Sequence, residues 1–179
     1  AYLIQYPHGC VEQTTSSVFP QLFLNDLFDL STNKSQQVEQ NIKDGIERLG
    51  HFQRPNGGMS YWIGEANPND WGTSYAGHFM LEAEKKGYVL PFSFKSNWVR
   101  YQKEAARNWR AQSGRYSGDL NQAYRLYTLA LSGNADLGAM NRLREYDELS
   151  NPAKWRLAAA YALIGQKQAS EALANTATI

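Results

Sequence analysis

Apolar residues recur every three or four positions along most of this chain, the spacing that places them on one face of a helix. From Ser35 to Phe52 the stripe is Val38, Ile42, Ile46, Leu49 and Phe52. From Asn97 to Ala111 it is Trp98, Tyr101, Ala105 and Trp109, and from Asp119 to Leu131 it is Leu120, Tyr124, Tyr127 and Leu131. Asp119 is the expected N-cap of that last helix, because its carboxylate can accept from free backbone N–H groups in the first turn. Pro152 suits the first turn of a helix running to Ile164, with Asn151 as its cap and Gly165 as its stop. Further helices are expected over 11–29, 71–86, 136–148 and 167–175, the first broken near Phe19 because Pro20 lacks an N–H. No segment alternates long enough to predict a strand. The pattern predicts an all-α chain of antiparallel helical hairpins joined by short turns, as a single domain over 1–179.

One connection departs from this pattern. Residues 52–72, "FQRPNGGMSYWIGEANPNDWG", gather glycine, proline and asparagine around Tyr61 and Trp62. A loop of this length inside a compact domain is either functional or pinned by its own side chains. For Trp62 the expectation is a pinning role, with direct function as the alternative. The order Gln53, Gly57-Gly58, Trp62 resembles the repeat between helix hairpins in α/α-toroid proteins such as terpenoid cyclases.

Composition narrows the classes of partner. The chain has 179 residues, 42% hydrophobic and 20% charged, with a formal net charge of +1. That length supports one domain with its own core. Neither nucleic acid nor an anionic membrane is indicated by such a balance. The most basic stretch, Arg100 to Arg115, is interrupted by glutamate, tryptophan and alanine and reads as a solvated helix face. No apolar run approaches the ~20 residues of a membrane span, so direct insertion of this chain is not expected. The start "AYLIQYPHG" has neither the basic residues nor the apolar length of a signal peptide, which does not by itself fix a compartment. With no initiator methionine and an end at "ANTATI" just after a helical pattern, the chain is expected to be a piece of a longer protein.

The single cysteine, Cys10, cannot form an internal disulfide. It lies in "YPHGCVEQTTS", with Gln13 three positions on. Residues i and i+3 share a helix face, so a thiol and a carboxamide carbon could meet there. Attack of the sulfur on that carbon, with departure of ammonia, would give an internal thioester. Such an acyl group is more electrophilic than an amide, because sulfur donates poorly into the carbonyl and leaves well. Gly9 would allow a tight turn and room beside the sulfur, and Pro7 would set the approach of the chain.

Gly9-Cys10-Val11-Glu12-Gln13 resembles the Gly-Cys-x-Glu-Gln thioester motif of the alpha-2-macroglobulin and complement family, and the longer string is most similar to its bacterial members. The resemblance spans the whole chain and implies an all-helical α/α toroid, here the N-terminal part of a thioester domain and therefore an incomplete barrel. It implies that Cys10 supplies the sulfur, Gln13 the acyl group, and Tyr6 the aromatic shield against water. The implied role is a single-use covalent trap in a broad-spectrum protease inhibitor. Cleavage of a bait region elsewhere in the parent macroglobulin would expose the thioester, which would then acylate a lysine of the attacking protease. Partners would be target proteases and the parent's other domains, outside the cytoplasm, in the periplasm or anchored at the cell envelope, with no cofactor and no metal. Complement members that favour hydroxyl targets use a histidine well over 100 residues after the cysteine. At that distance this chain reads "DLNQAYRLYTLA", with Asn121, Gln122 and Tyr124, so the resemblance implies direct aminolysis.

Three other readings stand beside this one: a cysteine–histidine hydrolase, an α/α-barrel glycosidase or cyclase, and an inert scaffold. In a cysteine–histidine hydrolase, Cys10 would be the nucleophile at a helix start and His51 or His78 the base. His8 could tune the thiol or face solvent, His51 suits a helix end, and His78 reads as a hydrogen-bonded inner-face residue. Neither Asp26 with Asp29 nor Asp70 with Glu65 makes a convincing glycosidase pair; solvated carboxylates are the simpler reading. The third possibility is an inert helical scaffold that binds partners through Tyr and Trp.

Overall fold

A computed structural model describes residues 3–114 and 117–178. Among these the chain is helical, with isolated bridges Gln53–Met59 and Ser60–Pro68 in place of strands. It divides into two compact units between Trp98 and Val99.

The first unit begins with α1 (Val11–Val18), which stops one residue before Phe19. Pro20 opens a 3₁₀ turn over Pro20–Phe23, and α2 (Leu24–Leu27) follows, so the expected break is present. The 3₁₀ turn suits this position because proline is tolerated at a first helical residue and not inside one. Phe19 becomes an aromatic hub, edge-on to His78 at 5.1 Å and Phe79 at 5.6 Å and stacked on Tyr75 at 5.9 Å.

α3 (Thr32–Gly50) starts three residues before the periodic stripe, because Ser31 caps it by accepting from Lys34 N–H. Its stripe of Val38, Ile42, Ile46 and Leu49, with Phe52 beyond its end, is buried as expected. α1 packs on α3 where Gly45 faces Val18; an added Cβ would lie 2.8 Å from the Val18 methyl. α4 (Asp70–Lys85) is capped by Asn69, whose Oδ1 accepts from Gly72 N–H at 2.7 Å. Gly77 on α4 admits the buried Trp98 ring, and Trp98 Nε1–H donates to Thr73 O at 2.9 Å. A ring of this size buries roughly 150–250 Å², an upper estimate of about 4–6 kcal/mol at 25 cal/mol/Å².

α5 (Phe94–Asn108) runs three residues earlier at both ends than 97–111. Trp98 is buried, but beyond it the fully buried line is Gln102 and Ala106, with Tyr101, Ala105 and Trp109 only half-buried. A polar residue occupies the inward line because its amide is satisfied there: Gln102 Nε2 donates to Thr128 Oγ1 at 3.2 Å. Of the basic stretch, Arg100, Arg107 and Arg110 are exposed, while Arg115 lies outside the described residues.

The second unit is built around α6 (Asp119–Leu131), packed by α7 (Leu137–Arg144) and α8 (Asn151–Leu163), with α9 (Lys167–Thr176) on α8. Two expected caps differ. Gly118, left-handed at φ +78, precedes α6 without a side-chain cap, and Asp119 is the first helical residue. Its carboxylate accepts from Leu120 N–H and, at 2.7 Å, from Ser150 N–H, tying α6 to the start of α8. Ser150, not Asn151, caps α8 by accepting from Ala153 N–H, and Pro152 sits in the first turn as expected. α6 is also buried on more than one face: Ala123, Leu126 and Leu129 join Tyr124 inside, while Leu120, Tyr127 and Leu131 are half-buried. α7 is shorter than 136–148 and opens with Asp136 as cap, accepting from Ala139 N–H. Gly165 (φ +76) follows the last turn of α8, as expected.

Candidate functional site

Cys10 is the N-cap of α1 and is 2% exposed. An N-cap leaves its side chain facing the free N–H groups of the first turn. Here Gln13 N–H donates to Cys10 Sγ at 3.4 Å, and Cys10 N–H donates to Gln13 Oε1 at 2.9 Å. This is a capping box with a thiol in place of the usual hydroxyl and Gln13 at the third helical position. The reciprocal bonds hold the sulfur and the carboxamide of Gln13 on the same face. Gly9 makes it possible: at φ +88 it takes the left-handed conformation, and a Cβ there would lie 2.9 Å from Gln13 Cδ and closer still to Oε1.

The chemical consequence lies in the direction of the Cys10 N–H. It points at the oxygen that would carry negative charge if sulfur attacked Cδ, the arrangement of an oxyanion hole. The sulfur belongs to a buried residue, while Gln13 is exposed.

Three elements position this turn. From α3, Arg48 Nη2 donates to Gly9 O at 2.6 Å and its Nε to Thr14 Oγ1 at 3.1 Å. The Thr14 hydroxyl in turn points at His8 O (3.2 Å) and Gly9 O (3.4 Å). From the 3₁₀ turn, buried Gln21 donates to Gln5 O at 2.7 Å and fixes the approaching chain. From the long loop, Tyr61 O accepts from Val11 N–H at 2.9 Å. The Tyr61 phenol is pushed up, first by its hydrogen bond with the Cys10 side chain and then by the electrostatic effect of Cys10, with burial and Glu12 adding to it.

Of the residues expected from the sequence, Cys10 and Gln13 are brought together. Tyr6 is 65% exposed and lines a surface pocket with Pro7, Asp44, Glu47, Arg48 and His51. His8 is exposed, and its carbonyl rather than its ring serves the turn. His51 is the exposed C-cap of α3, while the half-buried His78 meets Phe19 and lies 3.8 Å from Glu82. Asp26 pairs with Lys86 at 2.6 Å. Trp62 is 48% exposed and edge-on to Tyr61 at 5.9 Å; Gln53 Nε2 bridges Gly57 O and Phe94 O, so the loop is pinned by its own motif. In the second unit Gln122 is buried and donates to Ala106 O, and Tyr124 lies under the Arg156 guanidinium. Among the described residues no acidic, histidine or cysteine cluster could hold a metal ion, and no helix is long and apolar enough to cross a membrane.

The sequence does not single out Arg48, and it marks Tyr61 only as an aromatic of the 52–72 loop. Neither sits in a motif near Cys10; Arg48 is 39 positions from Gly9, and only the packing of α3 on α1 joins them.

Fold and site together define an all-helical domain of the α/α-toroid class with a thiol and a carboxamide paired at a helix start. Residues 1–140 match the family model of the A-macroglobulin TED domain, and the chain belongs to that family. It is 28% identical over 155 residues to the alpha-2-macroglobulin of Escherichia coli K12, a match covering 79% of this chain and 9% of that protein. Trypsin-activated alpha-2-macroglobulin from E. coli superposes with a TM-score of 0.82 at 26% identity, covering 95% of this chain and 13% of that one. Salmonella alpha-2-macroglobulin reacted with methylamine gives 0.81 at 27% identity, covering 96% and 12%. The chain thus spans a small part of the length of these relatives.

Proposed function

We propose that this chain is part of the thioester domain of a bacterial alpha-2-macroglobulin-like protease inhibitor and that Cys10 and Gln13 form its internal thioester. The observation that carries the reading is the reciprocal cap, in which Cys10 N–H holds Gln13 Oε1 at 2.9 Å while Gln13 N–H meets Sγ. In forming the bond, Sγ attacks Cδ, the Cδ–Nε2 bond breaks, and ammonia leaves with the thiol proton. The Cys10 N–H supports the oxyanion and remains on the same oxygen in the product.

In capture, a lysine amine of an attacking protease adds to Cδ, Cδ–Sγ breaks, and the sulfur takes up the amine's proton. The cap is then spent, which makes the domain a single-use trap and not a turnover enzyme. Because Gln13 and Tyr6 are exposed in this chain, shielding from water is assigned to Tyr6 together with other domains of the parent macroglobulin. The proposed setting is outside the cytoplasm, in the periplasm or at the cell envelope, and residues 1–179 are proposed to be one incomplete toroid domain. His78 meets Phe19 edge-on and lies 3.8 Å from Glu82, and neither contact supports the hydrolase alternative.

The test is covalent capture of a protease by the full-length chain, read on denaturing gels. Cys10→Ala and Gln13→Ala should each abolish the conjugate and leave the helical content unchanged. A conjugate that persists in either variant would overturn the assignment of the bond.

A further inference from the structure

Gly9 O and Cys10 N–H are the two ends of one peptide group. At the oxygen end sits the Arg48 guanidinium, 2.6 Å away, and at the N–H end sits Gln13 Oε1, 2.9 Å away. A peptide group that accepts a charge-assisted bond at its oxygen is polarised and becomes a stronger donor at its nitrogen. It is also held in plane, because amide resonance fixes the two ends relative to each other.

We propose that Arg48 is a positioning residue for the acyl carbon of Gln13, acting through the Gly9–Cys10 peptide group to aim and strengthen the N–H that holds Oε1. The proposal rests on the reading of Cys10 and Gln13 as a thioester pair.

The surroundings of Arg48 are built for this task. Its guanidinium lies over the buried Phe52 ring, 5.5 Å from the centroid, which fixes the plane of the fork. Its second arm reaches Thr14 Oγ1 at 3.1 Å, and that hydroxyl points at the same Gly9 carbonyl at 3.4 Å. Arg48 thus holds the Gly9 oxygen directly, while the single Thr14 proton is shared between His8 O at 3.2 Å and Gly9 O at 3.4 Å, and the left-handed Gly9 (φ +88) leaves its oxygen facing α3. Arginine is suited to the place because it spans both acceptors at once; a lysine offers a point charge without the fork. Since Oε1 stays on the acyl carbon after ammonia leaves, the same relay acts on thioester formation and on aminolysis.

The experiment compares wild type, Arg48→Met and Arg48→Lys in the full-length chain. It reads the fraction of molecules lacking one ammonia by intact mass, the rate of thiol release by methylamine, and the thermal midpoint. Methionine keeps an aliphatic stem against Phe52 but offers no donor. Arg48→Met should slow methylamine-driven thiol release by about tenfold to a hundredfold, the range for a lost bond to a charged group, and lower the formed fraction. Arg48→Lys, with one nitrogen in place of the fork, should fall between methionine and wild type. If Arg48→Met fails to fold, the lysine variant carries the test, and a wild-type rate there overturns the proposal. Equal rates and formed fractions in all three proteins also overturn it, and leave the thioester reading intact. A wild-type chain that never loses ammonia overturns the thioester reading, and this proposal with it.

Discussion

Substitution of Gly9 by alanine separates the needs of the backbone from those of the site. The residue is at φ +88, where an L side chain costs about 1–2 kcal/mol. Its Cβ would also lie 2.9 Å from Gln13 Cδ and closer still to Oε1, so the carboxamide must leave the Cys10 N–H. Losing that bond adds about 0.5–1.5 kcal/mol, for a sum of about 1.5–3.5 kcal/mol. Gly64 provides the control: it stands at φ +92 with nothing within 4 Å of an added Cβ, so its alanine variant meets the backbone cost alone. Urea denaturation followed by circular dichroism should place Gly9→Ala below Gly64→Ala by the value of the lost bond. Intact mass should find the ammonia-deficient form in Gly64→Ala and not in Gly9→Ala. Equal stability of the two variants, with the ammonia-deficient form in both, would refute the claim that Gly9 makes room for Gln13.

Three other outcomes follow from the packing. Gly77→Ala drives a methyl into the Trp98 ring and should destabilise the first unit by about 1–3 kcal/mol, seen as a loss of Trp98 order in fluorescence. Ser150→Ala removes the α8 cap and should cost about 1 kcal/mol in urea denaturation, more than Asn151→Ala, which reverses the order expected from sequence. Burial pushes the Tyr161 phenol up, partly offset by Arg144, and its hydroxyl donates to Asn141 Oδ1 at 2.6 Å. A raised phenol keeps its proton in the folded chain after the unfolded chain has lost it. The associated stability is therefore present below the ordinary tyrosine value near 10 and lost as pH rises through the higher folded value. Tyr161→Phe should flatten that alkaline decline in denaturation midpoints measured across it.

The helices were legible because burial selects one face and leaves a period. Val38, Ile42, Ile46 and Leu49 carry that period cleanly, and Pro20 carries the break in the first helix. The stripes failed where burial is not one-sided or not apolar. α6 is buried on more than one face, so Leu120 and Leu131 are no better guides to its core than Ala123 and Leu126. On α5 the inward position goes to Gln102, whose amide finds Thr128 Oγ1, a partner 26 positions away that no local pattern reveals. Asp119 looked like a cap because its type suits one; its carboxylate serves Ser150 N–H instead, across 31 positions. At the site the same division holds. Cys10 and Gln13 are adjacent on a helix and legible by spacing, whereas Arg48 and Tyr61 arrive through the packing of α3 and the course of the 52–72 loop.

The most direct measurement is intact mass with thiol titration of the full-length chain, before and after methylamine. A starting mass short by one ammonia with no titratable thiol, then a gain of one methylamine and one thiol at Cys10, is the predicted result. A mass equal to that of the sequence with a free Cys10 thiol throughout, and no uptake of methylamine, would contradict it.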